Sequence, residues 1–304
     1  MFDLVVAGEI NPDLVLTGEV RPEFGQVEKL IDSAALTVGS SSAIFACGAA
    51  RLGLNVAFVG VCGDDVFGRF MIEQLQRRNV DVRNVAIRPN DRTGLSVILN
   101  RQADRAILTY PGLIPALRAE QVTDDLLRRS RHLHLASYFL QTELQPRAAG
   151  LFARARSLGL TTSLDTNYDP AEQWLGLEDI LPHTSVFLPN RTEALAITHA
   201  ADEETAARQL AANAGLVVIK LGPNGALACR GEQISRAESL AVQITDSIGA
   251  GDSFDAGFLF GYLSHWPLAK SLQLACVCGS LSMLQAGGTD GQPTLDEAMK
   301  HVTG

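Results

Sequence analysis

The sequence predicts an α/β protein in three layers, with helices on both faces of a mostly parallel central sheet, and a second, smaller β-sheet standing off it. Three observations carry this. From His132 onward, short Val/Leu/Ile-rich runs alternate with helical stretches. That spacing implies βαβ units, whose right-handed crossovers cover both faces of a parallel sheet. Two segments, 14–36 and 93–112, break the layering with loose alternation and turn formers. Finally, 46% of the 304 residues are hydrophobic and 19% charged, the balance of a core-forming chain. No repeat, low-complexity tract or linker divides the sequence, which reads as one unit over 1–304.

The elements follow in order. "DLVVAGE" (3–9) is a Val-rich run ending at glycine, a buried strand. Residues 14–36 supply short exposed strands. "SSSAIFACGAARLG" (40–53) is a small-residue helix closed by Gly53, and "NVAFVGVCG" (55–63) the next strand. "GRFMIEQLQRRN" (68–79) is an amphipathic helix, and "TGLSVILN" and "RAILTYPG" form a hairpin across "RQAD". "HLHLAS", "TTSLDTN" and "SVFLPN" read as strands, with the helix "QPRAAGLFARARSLG" after the first. The helices "RTEALAIT" and "DEETAARQLAANAG", the strands "LVVIKLG" and "GALACRG" and two long helices complete the chain.

Composition excludes several classes. The net charge is −9 and no dense Lys/Arg run occurs, so the chain lacks the electrostatic footprint of nucleic-acid binding. A small anionic ligand stays compatible, because a few local donors override global charge. Cys47, Cys62, Cys229, Cys276 and Cys278 lie in apolar stretches without ligand spacing and read as reduced, buried thiols. His132 and His134, two apart on one strand with no third ligand in sight, read as packing. "MFDLVVAGEI" has no basic leader and no apolar run reaches membrane-spanning length, so a cytoplasmic location is expected.

In an open α/β sheet, ligands bind beyond the carboxyl ends of the strands. "GEINPD" (8–13), "LDTNYDP" (164–170) and "FLPNRTE" (187–193) fall there, joined by "SIGAGDSF" (247–254). In the last, small residues let the backbone curl, and the following helix adds free N–H donors and its positive dipole end. This is an anion hole, suited to charge developing on a transferring phosphoryl group. Asp252, in the first turn, is stabilised as a carboxylate by the same field and can take a proton from a substrate hydroxyl. Asp is equally a favoured helix cap, so residue types alone leave both roles open.

"DSIGAGDSFDAGFL" resembles the C-terminal signature of the ribokinase family, the phosphofructokinase-B-type carbohydrate kinases. The likeness runs nearly end to end. "GEINPDLVL" resembles the substrate loop, with Asn11 and Asp13, and "VGSSSAIFACGAARLGLNVAFVGVCGDDVFG" (38–68) the N-terminal signature. "PNRTEA" matches the Asn-x-x-Glu element as Asn190 and Glu193, and "KLGPNGAL" the nucleotide loop with Gly222 and Gly225.

The resemblance implies a ribokinase-like fold and ATP-dependent transfer of the γ-phosphoryl group to a sugar hydroxyl. Asp252 would be the base, and the N–H groups of Gly249, Ala250 and Gly251 would hold the phosphate. Asn190 and Glu193 would position Mg²⁺ through water. Lys220 stands where relatives carry Thr, so a point charge replaces a hydroxyl at the phosphates. Cys276 sits where relatives pack a side chain near adenine, or fills core. The Asp246 side chain and the carbonyls of Ile248, Ser282, Gln285 and Gly287 match a monovalent-cation site for K⁺. The segments 14–36 and 93–112 match the family's lid, whose closure expels water and whose exposed edges imply a homodimer.

On the substrate side, Asn11 and Asp13 suit a polyol, although Asn-Pro and Asp are also turn formers. Gly39 is kept, Ser40 replaces a second Gly, and Ile44 replaces an Asn. Ser40 and Ser41 could donate hydroxyls or cap the helix. The lysine that relatives acting on phosphorylated sugars carry in this loop is missing, implying an unphosphorylated substrate. Tyr138 and Asn167 are candidate pocket walls. A nucleoside kinase of the same fold and a non-catalytic sugar-binding protein are the alternatives. "VGSSSA" approaches a serine-hydrolase elbow around Ser41 but ends in Ala43.

Overall fold

The computed structural model describes residues 1–101 and 104–302; the centre of the "RQAD" turn, Gln102 and Ala103, lies outside them. The strands are β1 (Phe2–Ala7), β2 (Pro12–Thr17), β3 (Ser33–Val38), β4 (Val56–Gly63), β5 (Val80–Arg88), β6 (Leu95–Arg101), β7 (Asp104–Tyr110), β8 (Ser130–Leu135), β9 (Thr161–Leu164), β10 (Val186–Phe187), β11 (Val217–Lys220), β12 (Ala226–Arg230) and β13 (Gln233–Ala237). The helices are α1 (Ser41–Arg51), α2 (Val66–Arg77), α3 (Asp124–Arg128), α4 (Gln145–Ser157), α5 (Leu177–Ile180), α6 (Arg191–Thr198), α7 (Glu203–Ala211), α8 (Ala250–Leu263), α9 (Leu268–Ser282) and α10 (Leu295–Met299).

Nine strands form the large sheet in the order β13-β12-β11-β10-β9-β8-β1-β4-β5. It is parallel except at β11–β12 and β12–β13. Strand β1 shows why three layers form. Leu4 and Val6 face a core with Phe45 of α1, Met71 of α2, Phe254 and Phe258 of α8 and Leu272 of α9. Val5 and Ala7 face the opposite core, with Leu126 of α3, Leu151 and Phe152 of α4 and Ala206 of α7. Alternate side chains of one strand thus bury on both faces, which removes the polar face of a half-exposed strand.

The small sheet has the order β3-β2-β6-β7, built from the two segments that broke the expected layering. Strand β2 pairs antiparallel with β3 and parallel with β6, and β6 pairs antiparallel with β7. Two strands were not anticipated from sequence, β5 and β13, and they are the two edges of the large sheet. Edge strands bury little, and both carry arginines and polar residues that hide the apolar signal. His132 and His134 are fully buried, both bonded to Ser163 Oγ at 2.7 Å, and the His134 ring stacks on Phe45. All five cysteines are buried and free. Among the described residues, no helix is long and apolar enough to cross a membrane.

Candidate active site

The start of α8 is fixed by Gly249, which caps it with φ 71°. A side chain there would be strained by that left-handed backbone, and its Cβ would lie 2.8 Å from the Gly288 carbonyl and Ile44 Cγ2. Ile44, the departure from the family's Asn, is therefore a core residue that supports this turn. The first helical bond runs from Ser253 N–H to the Gly249 carbonyl, and the Ala250 N–H reaches the Ser247 carbonyl only at 3.4 Å. The Gly251 and Asp252 N–H groups stand ahead of the ladder, as helix geometry requires.

Asp252 is half-buried in this first turn and accepts a hydrogen bond from Ser41 Oγ. Burial pushes its carboxyl up to about 7, with the Asp165 and Glu9 charges adding to the rise and the Ser41 bond and Lys220 opposing it. Such an acid ionises near neutrality, where a general base works best. Ser41 is thus neither a free hydroxyl nor a nucleophile paired with imidazole; it binds the candidate base. Ser40 is the helix cap, accepting from Ala43 N–H at 3.0 Å with its backbone at φ 66°.

Strand β2 is joined to this point through the loop 39–41. A Cβ on Gly39 would fall 2.1 Å from Asp13 Oδ1, so the Asp13 carboxyl lies directly against that glycine. Asp13 and Asn11 are both buried, and Asn11 Nδ2 approaches Ser96 Oγ of β6 at 3.4 Å. Burial raises the Asp13 carboxyl to about 7, against the pull of Arg105 on β7 and with the Glu9 and Asp246 charges in support. Arg105 also donates to Ser247 Oγ at 3.4 Å, so the small sheet touches the loop that precedes the anion turn. Asn167, at φ 53°, accepts from Ser137 N–H at 3.0 Å on the same side.

The start of α8 also borders a cavity of about 540 Å³. Lys220, Gly222, Gly225, Ala250, Gly251 and Cys276 all line it, and its size suits a small-molecule ligand. Lys220 Nζ donates to Asp165 at 2.8 Å and Asp255 at 3.0 Å. Asn190 and Glu193 form a reciprocal cap for α6. Glu193 Oε2 accepts the Asn190 N–H at 2.8 Å, and Oε1 accepts its side-chain amide at 2.5 Å. Burial and the Asp165 charge raise Glu193 to about 7. With both its oxygens engaged, this pair fits a hydrated Mg²⁺ held through water and does not form a direct ligand set.

Some expected residues are placed otherwise. Tyr138 is not a pocket wall: it is buried in the second core and donates its hydroxyl to the Gly176 carbonyl at 2.7 Å. Three residues of the expected cation set are in contact. Asp246 accepts the Ile248 and Gly287 N–H groups, both at 3.0 Å, which brings these three residues together.

Four site residues had no assigned role in sequence: Glu9, Ser137, Asp165 and Asp255. Glu9 is buried and accepts from Ser40 Oγ, Ser42 N–H, Ser42 Oγ and Ser137 Oγ, which ties the loop ends of β1, β3 and β8 together. For the three acids the signal available was a carboxyl inside a quoted motif, in a position where helices and strands otherwise bury apolar groups; Ser137 carried no such signal.

Comparison with known proteins gives the family. Residues 1–295 match the model of the pfkB family carbohydrate kinases. The chain is 30% identical, over 81% of its length and 98% of the relative's, to an uncharacterized sugar kinase of Archaeoglobus fulgidus. It is 28% identical to the 5-dehydro-2-deoxygluconokinase of Geobacillus thermodenitrificans, covering 87% of this chain and 84% of that one. In fold it is similar to the Arabidopsis thaliana ribokinase solved with ribose and ATP, at a TM-score of 0.87 and 22% identity, covering 100% and 99% of the two chains. A match over residues 1–295, nearly the whole chain, means that this protein belongs to the pfkB family of carbohydrate kinases.

Proposed function

We propose that this protein transfers the γ-phosphoryl group of ATP to a hydroxyl of an unphosphorylated carbohydrate, with Asp252 as general base. One observation supports the reading: Asp252 directly follows Gly251 of the cavity wall and accepts a hydrogen bond from Ser41, in the loop whose Gly39 abuts Asp13. ATP with Mg²⁺ would supply the electrophilic phosphorus with its charge partly neutralised. Asp13 and Asn11 orient the acceptor, Asp252 takes the proton of its hydroxyl, and the N–H groups at the start of α8 receive the phosphoryl oxygens. The test is ADP release with ATP and Mg²⁺ over a panel of pentoses, hexoses, nucleosides and 5-dehydro-2-deoxygluconate, each against its phosphorylated form. Turnover of one unphosphorylated acceptor is expected; turnover of phosphorylated acceptors alone overturns the reading.

The Ser41 bond favours ionised Asp252, so its removal raises the carboxyl further. Ser41→Ala is expected to move the acidic limb of kcat/KM, which lies near pH 7 in the wild type, upward by about one pH unit. The alkaline plateau should stay. An unmoved limb would detach that ionisation from Asp252.

The small sheet forms a lid that closes over the acceptor, and two copies pair through it. Strand β7 is exposed on both faces, with Ile107 53% and Leu108 61% accessible. An open edge with apolar groups on both sides invites strand pairing with a second copy. Light scattering should give a dimer for the wild type and a monomer for Leu108→Lys; a wild-type monomer at micromolar concentration rejects the pairing.

A further inference from the structure

Lys220 is buried for a lysine, with 12% of its side chain exposed, and faces Asp165 and Asp255, which are 3% and 1% exposed. An ammonium has three donors. That of Lys220 donates to Asp165 Oδ2 at 2.8 Å and to both oxygens of Asp255, Oδ2 at 3.0 Å and Oδ1 at 3.3 Å, so Asp255 holds it from two points. The lysine lines the cavity, and its Nζ lies 3.9 Å from where a Gly251 Cβ would stand, directly under the anion turn. Asp255 projects from the same helix as Asp252, three residues on. Proximity on that helix face lets one element carry both the base and the group that holds the cation.

We propose that Asp255 is a positioning residue for phosphoryl transfer: with Asp165 it holds the Lys220 ammonium beneath the Gly249–Gly251 turn, where its positive charge faces the nucleotide's terminal phosphates. The role follows from this chain's own lysine. A flexible four-carbon stem at the end of β11 would otherwise sample many rotamers or lie against Asp165 alone, outside reach of the turn. Burial drives the Asp255 carboxyl well above the usual carboxylate range, and Asp165 adds to this through its charge and a hydrogen bond. Burial also works to raise Asp165, but the Lys220 charge and that shared bond keep it low. Asp255 therefore acts as a neutral bridge that donates to Asp165 and accepts from Lys220, a job an amide of the same shape can do.

The proposal rests on the ATP-dependent reading above, and nucleotide binding separates the two. Titration calorimetry without acceptor measures ATP and adenosine affinity, and steady-state assays give kcat and both KM values. Asp255→Ala is expected to weaken ATP about tenfold and lower kcat by one to two decades. Adenosine binding and acceptor KM should stay within twofold. Asp255→Asn should restore ATP affinity to within threefold of wild type, and in a Lys220→Met background Asp255→Ala should add less than twofold. If Asp255→Ala does not fold, Asp255→Ser, which keeps polarity but loses reach, takes its place with the same expectations. Equal loss of ATP and adenosine, unchanged ATP affinity in a folded variant, an asparagine variant as weak as alanine, or full additivity with Lys220→Met overturns the proposal. A wild type that binds no ATP fails the broader reading instead.

Discussion

Asp252→Asn is expected to lower kcat by about two to four decades while leaving the fold and both ligand affinities in place. The amide keeps the shape of the carboxyl and can still accept the Ser41 hydroxyl, so the first turn of α8 has no reason to move. What disappears is the capacity to take a proton. The size of the loss separates the two roles that residue types alone left open. A helix cap changed from Asp to Asn costs almost nothing, because both side chains cap well. A base changed to an amide cannot be compensated by a neighbour: Lys220 is protonated and committed to Asp165 and Asp255. Steady-state kinetics with a saturating acceptor, beside a thermal melt and ATP titration, make the comparison. Activity within threefold of wild type in a folded variant would leave Asp252 a partner of Ser41 in the first turn of α8 and nothing more.

The layered architecture was readable because burial imposes period and length. Strands buried on both faces are short apolar runs, and β1, β4, β8 and β11 stand out as such. The edges β5 and β13 were not readable, since a strand with one neighbour mixes exposed polar residues into its pattern. At the candidate site, the helix start at Gly249–Gly251 with Asp252 in its first turn was legible, because close backbone approach and a helix N-terminus leave a compositional mark. The roles of Glu9, Asp165 and Asp255 were not. Each depends on partners 31 to 128 residues away, Ser40 and Ser137 for Glu9 and Lys220 for the two aspartates. Pairing at that range is set by sheet order, which motif spacing does not encode. Tyr138 shows the converse: an aromatic hydroxyl at a strand end looks like a pocket group until the Gly176 carbonyl is seen to take it.

Gly39→Ala is expected to raise the acceptor KM by about two decades, to leave ATP affinity intact and to cost about 1–3 kcal/mol of stability. The added methyl group would lie 2.1 Å from Asp13 Oδ1 and 2.7 Å from the Asp13 backbone nitrogen. The carboxyl can swing away; the nitrogen cannot without shifting β2, whose register Asp13↔Thr37 and Pro12↔Val38 adjoins the glycine. Stability and binding therefore fall together in this variant. Asp13→Asn separates them. It should raise the acceptor KM comparably, yet its stability should move the other way. Burial lifts the Asp13 carboxyl from 3.8 to about 7, so the folded state holds a proton that the unfolded chain has lost, and stability drains away as pH rises from about 4 to 7. Above pH 7 the wild type carries a buried charge that asparagine lacks. The variant should accordingly melt higher than wild type at pH 8, with the gap closing as pH falls toward 4. A carboxylate kept where it weakens the fold needs a partner that arrives with the substrate. If Asp13→Asn is less stable at pH 8 and binds the acceptor normally, Asp13 is a turn residue, and the acceptor is held elsewhere.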